Sequence, residues 1–177
     1  MFRRVLSALV ALAYPFVVLW GLKTCGLTAV IVAVLAVCVF NCLLRPSKVS
    51  AVLLICAMAL CALSFVYRIP LPLKFYPVVV NALMFGLFLA SLFRGQSAIE
   101  SLARLRQPNL PPEAVRYTRR LTIVWCVFFV FNGLVAFWTA VAQPDEIWAL
   151  YNGFIAYLLI GSLIVGEMVF RKIRLNR

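Results

Sequence analysis

The chain contains no histidine, and its five acidic residues stand against seventeen basic ones over 177 positions. Without imidazole it lacks the commonest general base near neutral pH and the commonest metal ligand. With so little carboxylate it lacks the clustered oxygens that hold Mg2+ where phosphates are cleaved or transferred. The one adjacent acidic pair, Asp145 and Glu146, falls in a short turn and reads as a topology signal. Catalysis by a familiar membrane chemistry is therefore not expected, and no catalytic residue, metal or cofactor is assigned. Cysteine supplies no substitute, because Cys25, Cys38, Cys42, Cys56, Cys61 and Cys126 show no C-x-x-C spacing and nearly all sit in apolar runs. They read as small buried hydrophobes. Cys38 and Cys42 share a helix face, yet no histidine is there to complete a common zinc site. Polar stretches are also rare: one connection alone is long enough to hold structure, and no separate soluble domain fits. Nothing alternates with the period of a membrane barrel strand.

What fills the chain instead is apolar. Hydrophobic residues make up 66% of it, against roughly 45–50% in a soluble domain. Six runs, over residues 5–22, 25–44, 48–66, 75–93, 121–142 and 147–170, each approach the roughly 20 apolar residues that a bilayer crossing takes. Helices are the default there, because an open strand edge cannot be satisfied in hydrocarbon. The expected fold is an all-α polytopic transmembrane bundle forming one domain.

A net charge of +12 would suggest nucleic acid in a soluble protein. Beside membrane spans the same charge orients the chain and meets anionic headgroups. Membrane lipids, anionic ones above all, are thus the expected partners, and nucleic acid is not. A cytoplasmic N-terminus puts Arg3, Arg4, Arg45, Lys48, Arg94, Arg104, Arg106, Arg116, Arg119, Arg120, Arg171, Lys172, Arg174 and Arg177 on one side, fourteen of the seventeen basic residues. Lys23, Arg68 and Lys74 remain on the other. Six spans with both termini cytoplasmic follow. Arg3 and Arg4 before an apolar run imitate a signal peptide, and Leu22-Lys23-Thr24-Cys25 imitates a lipoprotein cleavage site. Thr24 and Lys23 do not suit such a site, so the first span is expected to stay as an uncleaved anchor.

Pro15 predicts a kink in the first span, and Pro77 a helix start at the fourth. Tyr14-Pro15-Phe16-Val17-Val18 and Tyr76-Pro77-Val78-Val79-Val80 share a pattern that would suit two inverted three-helix halves, although five residues also recur by chance. Between the fourth and fifth spans, Ser97 and Glu100 form a capping-box signature, with Ile99, Leu102 and Leu105 on one side of a short helix. That helix is expected to lie flat in the interface, with Arg104 and Arg106 at headgroups and Gln107 to Pro112 stopping it. Pro112 and Glu113 then suit a new helix start that continues into the fifth span. Arg116 and Arg120 stack one turn apart there, with Tyr117 and Arg119 beside them, a pattern that either anchors the chain or holds a lipid phosphate or pyrophosphate.

Polar groups inside spans are the next candidates, since hydrocarbon leaves them costly unless satisfied. Asn41, Asn81, Thr122, Asn132, Asn152 and Glu167 qualify. Thr122, Trp125, Phe129, Asn132 and Ala136 recur at helical spacing and predict one face turned toward another helix. Asn132 should lie level with Tyr157, whose hydroxyl is the expected partner. Glu167 precedes Arg171 by four residues, the order of a helical ion pair; as the only carboxylate within the spans it also suits a proton or cation relay. Phe131-Asn132-Gly133-Leu134-Val135-Ala136-Phe137 and Tyr151-Asn152-Gly153-Phe154-Ile155-Ala156-Tyr157 repeat one order of residue types, and their glycines predict a closely packed central hairpin.

The run from Tyr117-Thr118-Arg119-Arg120 through Trp125, Phe128, Phe129 and Asn132-Gly133, followed by Trp148 and Tyr151-Asn152-Gly153, resembles a group of uncharacterised bacterial inner-membrane proteins. That group is itself similar to intracellular septation protein A, the YciB family. The likeness is carried by residues 76–171 and implies a non-enzymatic role in envelope biogenesis, through elongation or division proteins or through an envelope-lipid pathway, in the bacterial inner membrane. It brings no catalytic residue with it. Two other functions stay open from the residues themselves. A small transporter or flippase for a lipid or lipid-linked intermediate would gather Asn81, Asn132, Asn152 and Glu167 around one cavity. A lipid-modifying enzyme would gather polar groups around Arg116, Arg120 and Glu167.

Overall fold

The computed structural model describes the backbone of residues 2–44 and 46–175 and the side chains of residues 13–44 and 46–172; the charges expected at Arg3, Arg4, Arg45, Arg174 and Arg177 lie outside the described side chains. The described chain is all helical: α1 (Phe2–Thr24), α2 (Gly26–Leu44), α3 (Lys48–Tyr67), α4 (Leu71–Lys74), α5 (Tyr76–Phe93), α6 (Ala98–Arg104), α7 (Pro112–Ala142), α8 (Asp145–Leu150), a π turn (Tyr151–Ile155) and α9 (Ala156–Leu175). Among the described residues five helical segments are long and apolar enough to cross a membrane: Gly26–Leu44, Lys48–Tyr67, Leu71–Phe93, Pro112–Ala142 and Asp145–Lys172.

The sequence signals account for most of the boundaries. Pro77 stands in the first turn of α5, where its missing N–H costs nothing. Pro15 lies within α1 without ending it. Gly26 takes a left-handed φ of 82° between α1 and α2, a conformation that glycine adopts without steric cost. Ser47 and Ser50 cap α3 reciprocally, and Arg68 closes it at φ 57° with its guanidinium 4.8 Å from the Phe65 ring centre. Within the last apolar segment, Asp145–Lys172, the helix passes through the π turn, whose extra residue shifts every later side chain around the axis.

The helices form two compact units, Met1–Tyr76 with Trp138–Arg177, and Pro77–Phe137. In the first, α1 packs on α2 and α2 on α3, while α8 and the π turn pack on α1. Its core holds Tyr14, Val18, Val30, Val34, Cys38, Cys61, Leu73 and Trp148. A Cβ on Gly21 would lie 2.7 Å from a Val30 methyl, so the missing side chain lets α1 and α2 close on each other. The tyrosines of the two Tyr-Pro segments meet, with ring centres 4.9 Å apart, and the Tyr14 hydroxyl donates to the Leu73 carbonyl at 2.9 Å.

In the second unit α5 and α7 pack through aromatic rings. Phe88 stands edge-on to Phe129 at 5.1 Å and 6.4 Å from Trp125. This is the face read from the spacing of Thr122, Trp125, Phe129, Asn132 and Ala136, and Thr122, Asn132 and Ala136 on it are buried.

Candidate functional site

The connection between α5 and α7 is built from its cap outward. The Ser97 hydroxyl accepts the Glu100 N–H and the Glu100 carboxylate accepts the Ser97 N–H, both at 3.4 Å, so the capping box is formed. The other Glu100 oxygen receives Arg104 Nε at 2.9 Å and Nη2 at 2.8 Å, and Arg104 Nη1 donates to the Pro108 carbonyl at 2.8 Å. Glu100 is 3% exposed, so this charge pair is largely shielded from water. The two N–H groups at the start of α6 find side-chain acceptors outside it: Ala98 donates to Ser91 Oγ at 2.8 Å and Ile99 to Thr122 Oγ1 at 3.3 Å. Helix α6 is thereby fastened to the end of α5 and to α7. Leu102 and Leu105 stay exposed, Leu105 by 81%.

These bonds redistribute the expected roles. Arg104, read as a headgroup contact, has its guanidinium committed to Glu100 and Pro108, because Glu100 lies one helical turn before it. Thr122, read as an intramembrane polar candidate, supplies an acceptor for the Ile99 N–H and donates to the Thr118 carbonyl at 2.8 Å.

Helix α7 starts at Pro112, as the Pro-Glu pair predicts, and carries Arg116, Tyr117, Arg119 and Arg120 in its first three turns. Arg106, Arg116, Arg119 and Arg120 are exposed, and Tyr117 is half-buried. Among the described residues none of these four arginines pairs with a carboxylate. Arg116 and Arg120 share a helix stripe with Ile123, Val127 and Leu134, all exposed, on the side opposite the buried Thr118, Thr122 and Asn132. The arginines thus continue an outward apolar stripe.

Most polar groups within apolar helices are partnered, while the buried Asn41 Oδ1 and Ser64 Oγ have no partner among the described residues. Asn132 Nδ2 donates to Asn81 Oδ1 at 3.0 Å, and Asn81 Nδ2 donates to the Pro77 carbonyl at 2.8 Å. Where level-matching pointed to Tyr157, the bond formed is with Asn81 of α5. A Cβ on Gly133 would lie 3.2 Å from Asn81 Cβ, so Gly133 admits Asn81 close enough for the adjacent Asn132 to reach it. Asn152 Nδ2 donates to Thr139 Oγ1 at 3.2 Å and to the Trp148 carbonyl at 2.9 Å. At Gly153 a Cβ would come within 2.5 Å of the Phe16 ring. The two Asn-Gly segments therefore serve two packings, one on α5 and one on α1. Glu167 stands 3.8 Å from Arg171, the expected helical ion pair. Asn41 Nδ2 returns to the Val37 carbonyl at 3.2 Å.

Sequence reasoning missed a second polar cluster, at the α1–α2, α4 and α7–α8 turns. Lys74, buried, pairs with Asp145 at 3.0 Å, and Lys23 pairs with Glu146. The indole N–H of Trp148, which is wholly buried, donates to the Lys74 carbonyl at 3.1 Å. Asp145 and Glu146 are thus partners of lysines remote in sequence, and the available signal was that two acids and two lysines share the less basic set of turns. Among the described residues no three His, Cys, Asp or Glu side chains gather as a metal site would require. No family model, no curated protein and no solved structure matches the chain.

Proposed function

We propose that the protein is a non-enzymatic, multi-pass inner-membrane protein supporting cell-envelope or membrane-lipid biogenesis, and that its basic α5–α7 connection engages lipid headgroups or a partner protein there. In this reading α1 is a sixth span, both termini are cytoplasmic, and α6 lies in the interface with Leu102 and Leu105 toward acyl chains. The observation that carries it is the row of unpaired arginines, Arg116, Arg119 and Arg120, on the same flank of α7 as its exposed apolar stripe. That flank faces lipid if α7 crosses the bilayer, and its arginines then meet the phosphate layer, worth about 1 kcal/mol each. The fastening of α6 by Ser91, Thr122 and the Glu100–Arg104 pair supports a connection that presents these charges in a fixed place. The resemblance read in residues 76–171 to proteins related to the YciB family implies the same envelope role and is part of this proposal. Local partners for Asn81, Asn132 and Asn152 suit a scaffold better than a transport cavity.

Lipid selectivity in a reconstituted bilayer tests the proposal. Spin-labelled phosphatidylglycerol should be immobilised by the wild type in preference to spin-labelled phosphatidylcholine. Replacing Arg116, Arg119 and Arg120 together by Gln should bring the two lipids to parity. An undiminished preference in that variant would refute headgroup engagement at this site.

A further inference from the structure

We infer that Arg116, Arg119 and Arg120 select a lipid whose headgroup carries two phosphates, entered sideways from the bilayer; this rests on the headgroup reading above. The three arginines sit at positions i, i+3 and i+4 of α7, so their Cβ atoms neighbour one another at about 5–6 Å. Glu113, one turn earlier, is the nearest acid on that helix in sequence and pairs with none of them. Three guanidinium groups beside one carboxylate leave an excess of two positive charges. One phosphodiester compensates half of that excess, whereas a headgroup with two phosphates compensates all of it.

The setting decides where such a headgroup comes from. Directly along the helix from Arg116 and Arg120, Ile123, Val127 and Leu134 form an exposed apolar strip that acyl chains can cover while the headgroup stays at the arginines. A free, water-soluble anion would gain nothing from that strip. Planar guanidinium forks match phosphate oxygens two at a time, which fits a cluster of arginines rather than lysines. Glu100, the carboxylate of the α5–α7 connection, is taken by Arg104. Two phosphodiesters linked through glycerol carry two negative charges and a diphosphate monoester carries about three near neutral pH, so either covers the excess of two.

Native mass spectrometry of the protein released from phosphatidylcholine nanodiscs tests this. The discs carry equimolar phosphatidylglycerol and cardiolipin in one arm, and phosphatidylglycerol and a polyprenyl diphosphate in the other. The wild type should retain the two-phosphate lipid over phosphatidylglycerol by roughly fivefold or more in at least one arm, and the arm that responds identifies the linkage. The R116Q/R119Q/R120Q variant should lose that preference, while R171Q, which alters an exposed arginine on α9, should keep it. Equal retention of one- and two-phosphate lipids by the wild type in both arms overturns the inference, and needs no variant to fold. If the triple variant then still loses both lipids, headgroup binding stands without the two-phosphate selection; if it loses neither, both readings fall.

Discussion

Asn132 illustrates what a single side chain can and cannot disclose. Its spacing from Thr122 and Ala136 marked the inward face of α7, because helical periodicity is intrinsic to the chain. Its partner did not follow, since depth-matching named Tyr157 and the amide meets Asn81. Which helix lies opposite depends on rotation and neighbour order, and apolar helices of similar composition do not encode these one residue at a time. An Asn132→Leu substitution removes the donor to Asn81 Oδ1, and should cost about 1–2 kcal/mol in a reversible detergent or thermal unfolding measurement. A double-mutant cycle with Asn81→Ala should return a coupling of about 0.6–2 kcal/mol, and additivity would show that the bond contributes nothing. At Gly153, alanine would press on the outer edge of the Phe16 ring. Gly153→Ala should therefore destabilise the protein, and Phe16→Ala in the same chain should recover part of the loss.

Helix α6 owes its position to bonds beyond its seven residues. The capping box, Pro112 and the stop after Arg104 could all be read in the sequence because each is a local signal. The bonds of Ile99 to Thr122 and of Ala98 to Ser91 could not, since an acceptor more than twenty residues away leaves no pattern around the donor. The π turn was hidden for a related reason: α8 and α9 each keep ordinary helical periodicity, and only the offset between them is altered. Glu100→Gln keeps a cap for Ser97 but weakens the charge-assisted pair with Arg104. Amide exchange over residues 98–108 should accelerate about tenfold, as a loss near 1.4 kcal/mol implies. Thr122→Val should accelerate exchange at Ile99 more than at residues late in α6. Unchanged protection in both variants would mean that α6 is held by packing alone.

Within the unit formed by Met1–Tyr76 and Trp138–Arg177, ion pairs join turns that are distant in sequence. The excess of basic residues on alternate connections was plain from composition, and it predicted sidedness without predicting these contacts. Lys74–Asp145 and Lys23–Glu146 pair two of the three basic residues assigned to the extracytoplasmic side. The side chain of Lys74 is 9% exposed and that of Asp145 42%, so the two halves of the pair are not equivalent. Asp145→Ala strands a buried ammonium and should cost on the order of 2–3 kcal/mol, whereas Lys74→Met leaves a carboxylate with access to water and should cost less. Equal losses in thermal unfolding would rule out that asymmetry. The more exposed Lys23–Glu146 pair should matter little to stability.

Direct contact between arginine and lipid phosphorus bears hardest on the function proposed for the chain. Carbon-13 in the arginine guanidinium groups and phosphorus-31 in the bilayer can be recoupled by solid-state nuclear magnetic resonance. Hydrogen-bonded guanidinium and phosphate, with N···O near 2.7–2.9 Å, bring the two nuclei close enough for strong dephasing. The wild type should show that dephasing, and the R116Q/R119Q/R120Q variant should lose most of it while the R171Q variant keeps it. The same dephasing in the wild type and the triple variant would contradict headgroup engagement at the start of α7.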